Sequence, residues 1–228
     1  MEHVGVIIPA GGIGKRMGAD RPKQFIGIGG VPVIIHTLRK FQNHPRVTEI
    51  ALVVPANHID DMRQLLRQYP VPKVKKIVPG GKERQDSVYN GLKMLSDSVD
   101  VALVHDAVRP FVSIEKIDAV VDAILRTGAA LLAVPESCTL KQVSNGKVIS
   151  TVDRSTLWQA QTPQGAMRDL LLQAFQQAEE TGFRGTDDVS LIEAMGHPVT
   201  VVQGDNHNIK ITSPGDLMIA EAILGNRP

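Results

Sequence analysis

Short, branched, nearly all-apolar runs alternate with stretches of helical periodicity, and one polar segment interrupts them with a hairpin signal. These three observations predict an α/β fold, a mostly parallel sheet with helices on both faces and a protruding β-arm. Val4–Ile8, Ile50–Val54, Val74–Val78, Val101–His105 and Ala129–Val134 read as strands buried on both sides. Between them, Ile34, Ile35, Leu38 and Phe41 share one helical face, and Ile59, Met62, Leu65, Leu66 and Tyr69 share another. Ile114, Ile117, Val120, Val121, Ile124 and Leu125 make a third stripe. Residues 136–159 are polar and contain Asn145-Gly146, a strong two-residue hairpin turn; they read as the arm. Leu170, Leu171, Ala174, Phe175 and Ala178 mark a later helix, and Leu217, Ala220, Ile223 and Leu224 the last. That last helix opens with Ser213 as N-cap, Pro214 in its first turn and Asp216 three residues after the cap. No repeat or linker divides the chain, so one domain over 1–228 with an arm is expected.

Composition bounds what such a fold does. The 228 residues carry 25 basic and 24 acidic side chains, a formal net charge of +1, which disfavours nucleic acid as a partner. Cys138 is the single cysteine, so an internal disulfide and a cysteine zinc cage are excluded. Neither a secretory signal nor an apolar run of membrane-spanning length is visible, and a cytoplasmic location is expected.

Ligands of open α/β sheets sit beyond the carboxyl ends of the strands. There the first strand runs into Pro9-Ala10-Gly11-Gly12-Ile13-Gly14-Lys15-Arg16-Met17-Gly18, whose glycines let backbone N–H groups approach phosphate oxygens. It is not a P-loop, because Arg16 follows Gly14-Lys15 and Pro9 stands where the first glycine belongs. A dinucleotide fingerprint would need glycine or alanine at Met17. Lys15, Arg16 and Lys23 add fixed positive charge, which suits a triphosphate and the charge that grows on it during attack at its α-phosphorus.

Further motifs follow in order: Gly80-Gly81-Lys82-Glu83-Arg84-Gln85-Asp86-Ser87-Val88, His105-Asp106-Ala107-Val108-Arg109-Pro110, Thr151-Val152-Asp153-Arg154, Gln161-Thr162-Pro163-Gln164, Gly185-Thr186-Asp187-Asp188 and Asn208-Ile209-Lys210-Ile211-Thr212. With the glycine loop and Pro22-Lys23-Gln24-Phe25, this series resembles the 2-C-methyl-D-erythritol 4-phosphate cytidylyltransferase family of the sugar-phosphate nucleotidyltransferases, from the first strand to the last helix. The fold expected is then Rossmann-like, and the reaction expected is transfer of CMP from CTP to a small sugar-alcohol phosphate with release of pyrophosphate.

The residues divide accordingly. Asp106, just beyond an apolar strand, reads as a Mg²⁺ ligand, as the resemblance implies, or as a cap paired with Arg109. His105 points the other way and reads as a packed, hydrogen-bonded core residue. Ala10, Gly11, Gly12 and Gly14 are expected to bind the nucleotide together with Gly80, Gly81, Arg84 and Ser87, and the resemblance sets base and ribose against the Gly80-Gly81 loop, which is otherwise a helix-opening turn. Arg16 and Lys23 are expected to meet transition-state charge. By resemblance, Arg154 on the arm and Lys210 on a late strand hold the acceptor phosphate. Arg109, Thr139, Thr162 and Thr186 are placed to contact substrates, although Thr186 also suits a helix cap. Relatives pair through such an arm, so a two-fold homodimer is expected.

Two departures from the family pattern stand out: His207 before Asn208, and Cys138 before Thr139, each where an acidic residue is common. The rivals are a ribitol 5-phosphate cytidylyltransferase, closest in chemistry; a dinucleotide-dependent oxidoreductase, for which no ribose-binding acid is evident; and a nucleotide sensor, which would not need Arg16, Lys23 and Asp106 together.

Overall fold

A computed structural model describes residues 2–12 and 23–225, with Lys23 described through its backbone alone. The chain begins with β1 (Val4–Pro9) and, after a 3-10 turn at Lys23–Phe25, forms the short β2 (Gly27–Ile28) and β3 (Val31–Pro32), then α1 (Val33–Gln42). Next come β4 (Val47–Val54), a 3-10 turn at Ala56–His58, α2 (Ile59–Gln68), β5 (Val74–Pro79), α3 (Arg84–Leu92), β6 (Val101–Val104), α4 (Ile114–Thr127) and β7 (Ala129–Pro135). The hairpin β8 (Leu140–Ser144) and β9 (Lys147–Val152) leads to β10 (Trp158–Met167), α5 (Arg168–Thr181), α6 (Ser190–Ala194), β11 (Thr200–Gln203) and α7 (Pro214–Gly225).

Seven strands form one sheet in the order β11-β7-β10-β6-β1-β4-β5. All neighbours are parallel except β10, which runs antiparallel between β6 and β7. The chain moves outward from β1 through β4 and β5, then returns to place β6 on the other side of β1, which makes β1 the switch point.

Alternation along β1 sorts the core into two layers. Val4, Val6 and Ile8 face one layer with Leu38, Phe41, Ile117 and Val121, while Ile7 faces the other with Val53, Leu92, Leu171 and Phe175. Gly91 sits where α3 crosses the sheet, and a Cβ there would lie 2.6 Å from Ile7 Cγ2 and 2.8 Å from Val53 Cγ2. Only glycine lets α3 come this close, and α3 carries the Gly80–Ser87 loop at its start. A third, smaller cluster gathers Ile28, Val33, Phe111, Ile211 and Ala220 under α7. The start of α7 has reciprocal caps: Asp216 N–H donates to Ser213 Oγ at 3.3 Å, and Ser213 N–H donates to Asp216 Oδ2 at 2.8 Å.

Three boundaries differ from the sequence reading. Trp158 and Gln159 belong to β10, paired with Pro135 and Val134 in the central sheet, so the projecting arm ends before Trp158. β10 eluded the apolar pattern because its middle is Gln161-Thr162-Pro163-Gln164, a polar run buried for hydrogen bonding rather than for hydrophobic contact. Lys210 lies in the loop after β11, not on a strand.

Candidate active site

A cavity of about 640 Å³ opens over the carboxyl ends of β1, β4, β5 and β6, a volume in the range of nucleotide-sized ligand sites. One wall is Pro9, Ala10, Gly11 and Gly12; another is Gly80 to Arg84 with Ser87; Pro55 to His58 close one side, and Asp106, Ala107, Val108 and Lys210 form the floor. Gln24, buried from the Pro22–Phe25 motif, steadies the first wall by donating from Nε2 to Ala10 O at 2.7 Å. Gly14, Lys15 and Arg16 lie outside the described residues, as does the side chain of Lys23.

The Gly80-Gly81 loop is closed by its own backbone donors. Gly80 N–H donates to Val54 O at 2.8 Å and Gly81 N–H to Ser87 Oγ at 3.0 Å, while the Ser87 hydroxyl donates to Glu83 O at 3.0 Å. These donors hold the loop onto β4 and α3 and are not spare for a ligand. Glycine at 81 is dictated by crowding: a Cβ would lie 2.4 Å from Asp86 Cβ. Asp86 itself is part of a capping box with Glu83 at the start of α3.

Asp106 is the electrostatic hub. Arg109 Nε donates to its Oδ2 at 3.0 Å, Lys210 Nζ lies 3.0 Å from the same oxygen, and Arg84 Nη2 lies 3.9 Å from Oδ1. Burial alone would raise the Asp106 pKa, but Lys210, Arg109 and Arg84 together outweigh it and hold the carboxyl well below the usual range. The group is therefore a permanent anion in the pocket floor.

The floor is braced from behind. Asp106 N–H donates to Thr162 Oγ1 at 3.0 Å, and Thr162 Oγ1 is 3.1 Å from His105 Nδ1. His105 Nε2 is 3.0 Å from Arg109 O, an oxygen that only accepts, so Nε2 carries the proton and Nδ1 accepts from the Thr162 hydroxyl. Full burial pushes the His105 pKa down to about 4 and keeps the ring neutral, edge-on to Phe41 at 4.9 Å between centroids. Thr162 and His105 thus fix Asp106 rather than face the ligand.

The segment after β11 completes this brace. Asn208 is buried, donating from Nδ2 to Thr162 O at 2.8 Å, and its own carbonyl accepts from Arg109 Nη1 at 2.7 Å. Ile211 enters the core and takes Val108 O through its N–H at 2.9 Å. Lys210, between these anchors, is left to reach Asp106.

Arg84 adds a second buried carboxylate, one that no sequence motif had given a role. Its Nη1 and Nη2 donate to Asp188 Oδ1 and Oδ2 at 2.8 and 2.7 Å, and Gln164 Nε2 donates to Oδ2 at 2.7 Å. Burial raises the Asp188 pKa, and Arg84 works against that rise. Removing Arg84 would leave the Asp188 carboxylate buried without its counter-charge, whereas Arg84, 36% exposed, keeps access to solvent. The only sequence signal for Asp188 was its place in Gly185–Asp188.

Other candidates stand apart from the cavity. Thr139 and Arg154 are exposed on and beside the hairpin, where Arg154 Nη1 donates to Ser137 O. Thr186 is exposed, and the cap of α6 comes from Asp187, whose Oδ1 accepts from Ser190 N–H at 3.0 Å. His207 is exposed, with Nδ1 3.0 Å from Asp205 Oδ1. The turn of the hairpin has positive φ at both Asn145 (49°) and Gly146 (74°), as a two-residue hairpin loop requires.

Known proteins resemble this chain over nearly its whole length. A family model described as "IspD: 2-C-methyl-D-erythritol 4-phosphate cytidylyltransferase" matches residues 4–226. The enzyme of that name from Bacillus velezensis is 50% identical over 225 residues, covering 98% of this chain and 96% of the relative. The one from Bacillus licheniformis is 47% identical over 219 residues, covering 96% and 94%. Among solved structures, 4-diphosphocytidyl-2C-methyl-D-erythritol synthase from Anaerococcus prevotii superposes with a TM-score of 0.85 at 30% identity, covering 99% of this chain and 97% of that one. The cytidylyltransferase from Thermus thermophilus gives 0.81 at 33% identity, covering 96% and 98%.

Proposed function

The chain belongs to the 2-C-methyl-D-erythritol 4-phosphate cytidylyltransferase family, and from that premise we propose how its own residues divide the work of the reaction. The enzyme transfers CMP from CTP to 2-C-methyl-D-erythritol 4-phosphate in isoprenoid precursor synthesis. An oxygen of the acceptor phosphate attacks the α-phosphorus of CTP; a new P–O bond forms, the bond to the β-phosphate oxygen breaks, and pyrophosphate leaves. A phosphate monoester has its second pKa near ~6 and is largely dianionic at neutral pH, so no general base is needed. Catalysis reduces to positioning and to charge stabilisation.

The observation that carries the assignment is the Asp106 cluster on the floor of a cavity walled by two glycine loops. Ala10, Gly11, Gly12 and Gly14, with Gly80, Gly81, Arg84 and Ser87, enclose CTP. Arg16 and Lys23 meet the charge that develops on the transferring phosphoryl group. Lys210, paired with Asp106 but with its side chain 40% exposed at the cavity, turns towards the acceptor phosphate, whereas Arg109 is tied to both Asp106 and Asn208 O. Thr162 acts through Asp106, and Thr139, Thr186 and Arg154 serve the acceptor.

The donor set at Asp106 suits Mg²⁺, which takes oxygen ligands and commonly binds through one or two carboxylates plus substrate phosphates. Asp106 is ionised, and both of its close cations lie on Oδ2. Among the described residues no group of three His, Cys, Asp or Glu side chains could cage an ion, so the nucleotide phosphates would supply the remaining ligands. When bound, Mg²⁺ would neutralise phosphate charge.

The acceptor half of the site is the reason for proposing a homodimer. The β8–β9 hairpin forms its own two-stranded sheet and exposes Val148 (62%) and Ile149 (61%), an apolar surface that a second copy of the chain would cover while bringing Arg154 to the partner's cavity. Within the chain we propose one domain with this arm. Among the described residues no helix is long and apolar enough to cross a membrane, and with one free cysteine the proposed location is the cytoplasm. The test is pyrophosphate release from CTP and Mg²⁺ with methylerythritol phosphate or ribitol 5-phosphate as acceptor. Efficient turnover of the first is expected; turnover of ribitol phosphate alone would overturn the substrate.

A further inference from the structure

Arg84 presents a puzzle. It opens the helix behind the nucleotide wall and lines the cavity, yet both of its Nη atoms donate to Asp188, which is 1% exposed. Asp188 is also the residue through which β10 joins the arrangement, because Gln164 donates to its Oδ2 at 2.7 Å. The surrounding segment is bound to the same end of α3: Gly185 N–H donates to Gln85 Oε1 at 3.1 Å, and Gln85 Nε2 to Phe183 O at 3.1 Å.

The position of Arg84 relative to Asp106 supplies a reason. Arg109 Nε donates to Oδ2 at 3.0 Å and Lys210 Nζ makes its shortest approach to the same oxygen, also at 3.0 Å, and among the described residues no side-chain hydrogen bond goes to Oδ1. Arg84 makes its own closest approach to Oδ1, with Nη2 at 3.9 Å, about 1 Å beyond a charge-assisted hydrogen bond. A guanidinium released from Asp188 would close that gap and form an ion pair with Oδ1.

We infer that Asp188 is a positioning residue: by holding Arg84 in a two-pronged pair, it keeps that guanidinium off Asp106 Oδ1 and leaves this oxygen for the divalent cation. The inference rests on the reading of Asp106 as the Mg²⁺ ligand. Arg84 still contributes positive potential at 3.9 Å, which keeps Asp106 ionised. Asp188 thus sets cation affinity without touching the cation or the substrates.

The experiment uses Mn²⁺ as the probe, with free Mn²⁺ counted by electron paramagnetic resonance in the presence of CTP and absence of acceptor. Asp188→Asn should weaken Mn²⁺ binding by about tenfold, the size of one lost charged hydrogen-bond partner, and raise the Mg²⁺ concentration for half-maximal turnover equally. CTP binding without metal should change much less. Because Asp188→Asn leaves Arg84 unpaired and can weaken the fold, the double variant Arg84→Gln/Asp188→Asn is measured beside it. It has no cation to misplace and should bind Mn²⁺ more tightly than Asp188→Asn alone. Parental Mn²⁺ affinity in folded Asp188→Asn, or a double variant no better than the single, overturns the inference and leaves the metal reading standing. Parental Mn²⁺ affinity in Asp106→Asn overturns the metal reading, and the inference with it.

Discussion

The cavity floor and the hairpin arm solve the problem of polar side chains in opposite ways. Around Asp106, Arg109, Thr162 and Asn208 each have partners inside the chain, and His105 is packed and hydrogen-bonded beneath them. In the arm, β8 and β9 pair only with each other, every residue of β9 is exposed, and Val148 and Ile149 face solvent. Bringing buried charges together demands a preorganised scaffold; an exposed hairpin with apolar side chains is the surface proposed to meet a partner. On the proposed reading, the described nucleotide wall belongs to one chain, and the acceptor half is the part proposed to need a second copy.

Breaking the floor should have the largest effect. Asp106→Asn leaves Lys210, Arg109 and Arg84 without their shared counter-charge and is expected to abolish Mg²⁺-dependent turnover almost completely. Arg16→Ala and Lys23→Ala should each lower kcat on the order of 10²–10³-fold with little change in thermal stability, as for other lost transition-state donors. Near-normal kcat and an unchanged KM for CTP would remove those two residues from the mechanism.

The arm should respond in another parameter. Arg154→Ala is expected to raise the KM for the acceptor phosphate on the order of 10–100-fold, the value of a charged hydrogen bond, with the KM for CTP nearly constant. Val148→Asp with Ile149→Asp should convert a dimer into a monomer of the same fold, read by light scattering and circular dichroism. An intact chain that scatters as a monomer at micromolar concentration would end the comparison, because the arm would then have no partner to serve.

How legible the two regions were in sequence follows from the same contrast. Strands such as Val101–Val104 are apolar on both faces, and hydrophobic pattern alone finds them. The arm was legible through Asn145-Gly146, whose two positive φ angles few other residue pairs allow. The brace was not. Gln161, Thr162 and Gln164 are buried polar residues, and Asp188 and Asn208 are buried among loops; their partners are 24 to 104 positions away, a distance that no local period encodes. Resemblance flagged their motifs, but only coordinates show that Thr162 acts on Asp106 and that Asp188 acts on Arg84. The same holds for Gly80 and Gly81, whose N–H groups close the loop onto Val54 and Ser87.

The buried brace also makes a stability prediction. His105 has its pKa lowered by burial to about 4, from an ordinary 6.5. Below pH 6.5 the unfolded chain takes up a proton there that the folded chain refuses until about pH 4. Stability from this group is full above 6.5 and falls through that window, by about 3 kcal/mol in all. His44, also lowered by burial, acts with the same sign, and Asp188, raised by burial, opposes both. Urea unfolding between pH 7 and 4.5 should show the decline, and His105→Gln should flatten it in part. An identical slope in the variant would mean that His105 is not the group being titrated.

The smallest effect is expected at His207, where relatives commonly carry an acidic residue. Its ring is 70% exposed and rests on Asp205, and it does not line the cavity, so it neither touches the Asp106 cluster nor fills space in the core. A neutral imidazole is also a poor ligand for Mg²⁺, which prefers oxygen. His207→Ala should therefore keep kcat/KM within about twofold, the usual reach of a surface substitution. His207→Asp should be tolerated and should lower the Mg²⁺ concentration needed for half-maximal activity if the new carboxylate can reach the cation. Titrating activity against Mg²⁺ for both variants beside Asp106→Asn ranks the two positions directly. Should His207→Ala be as damaging as Asp106→Asn, the loop between β11 and Lys210 must close over the cavity during turnover, and the line drawn here between a finished floor and an unfinished arm would have to include that loop among the parts completed only with substrate.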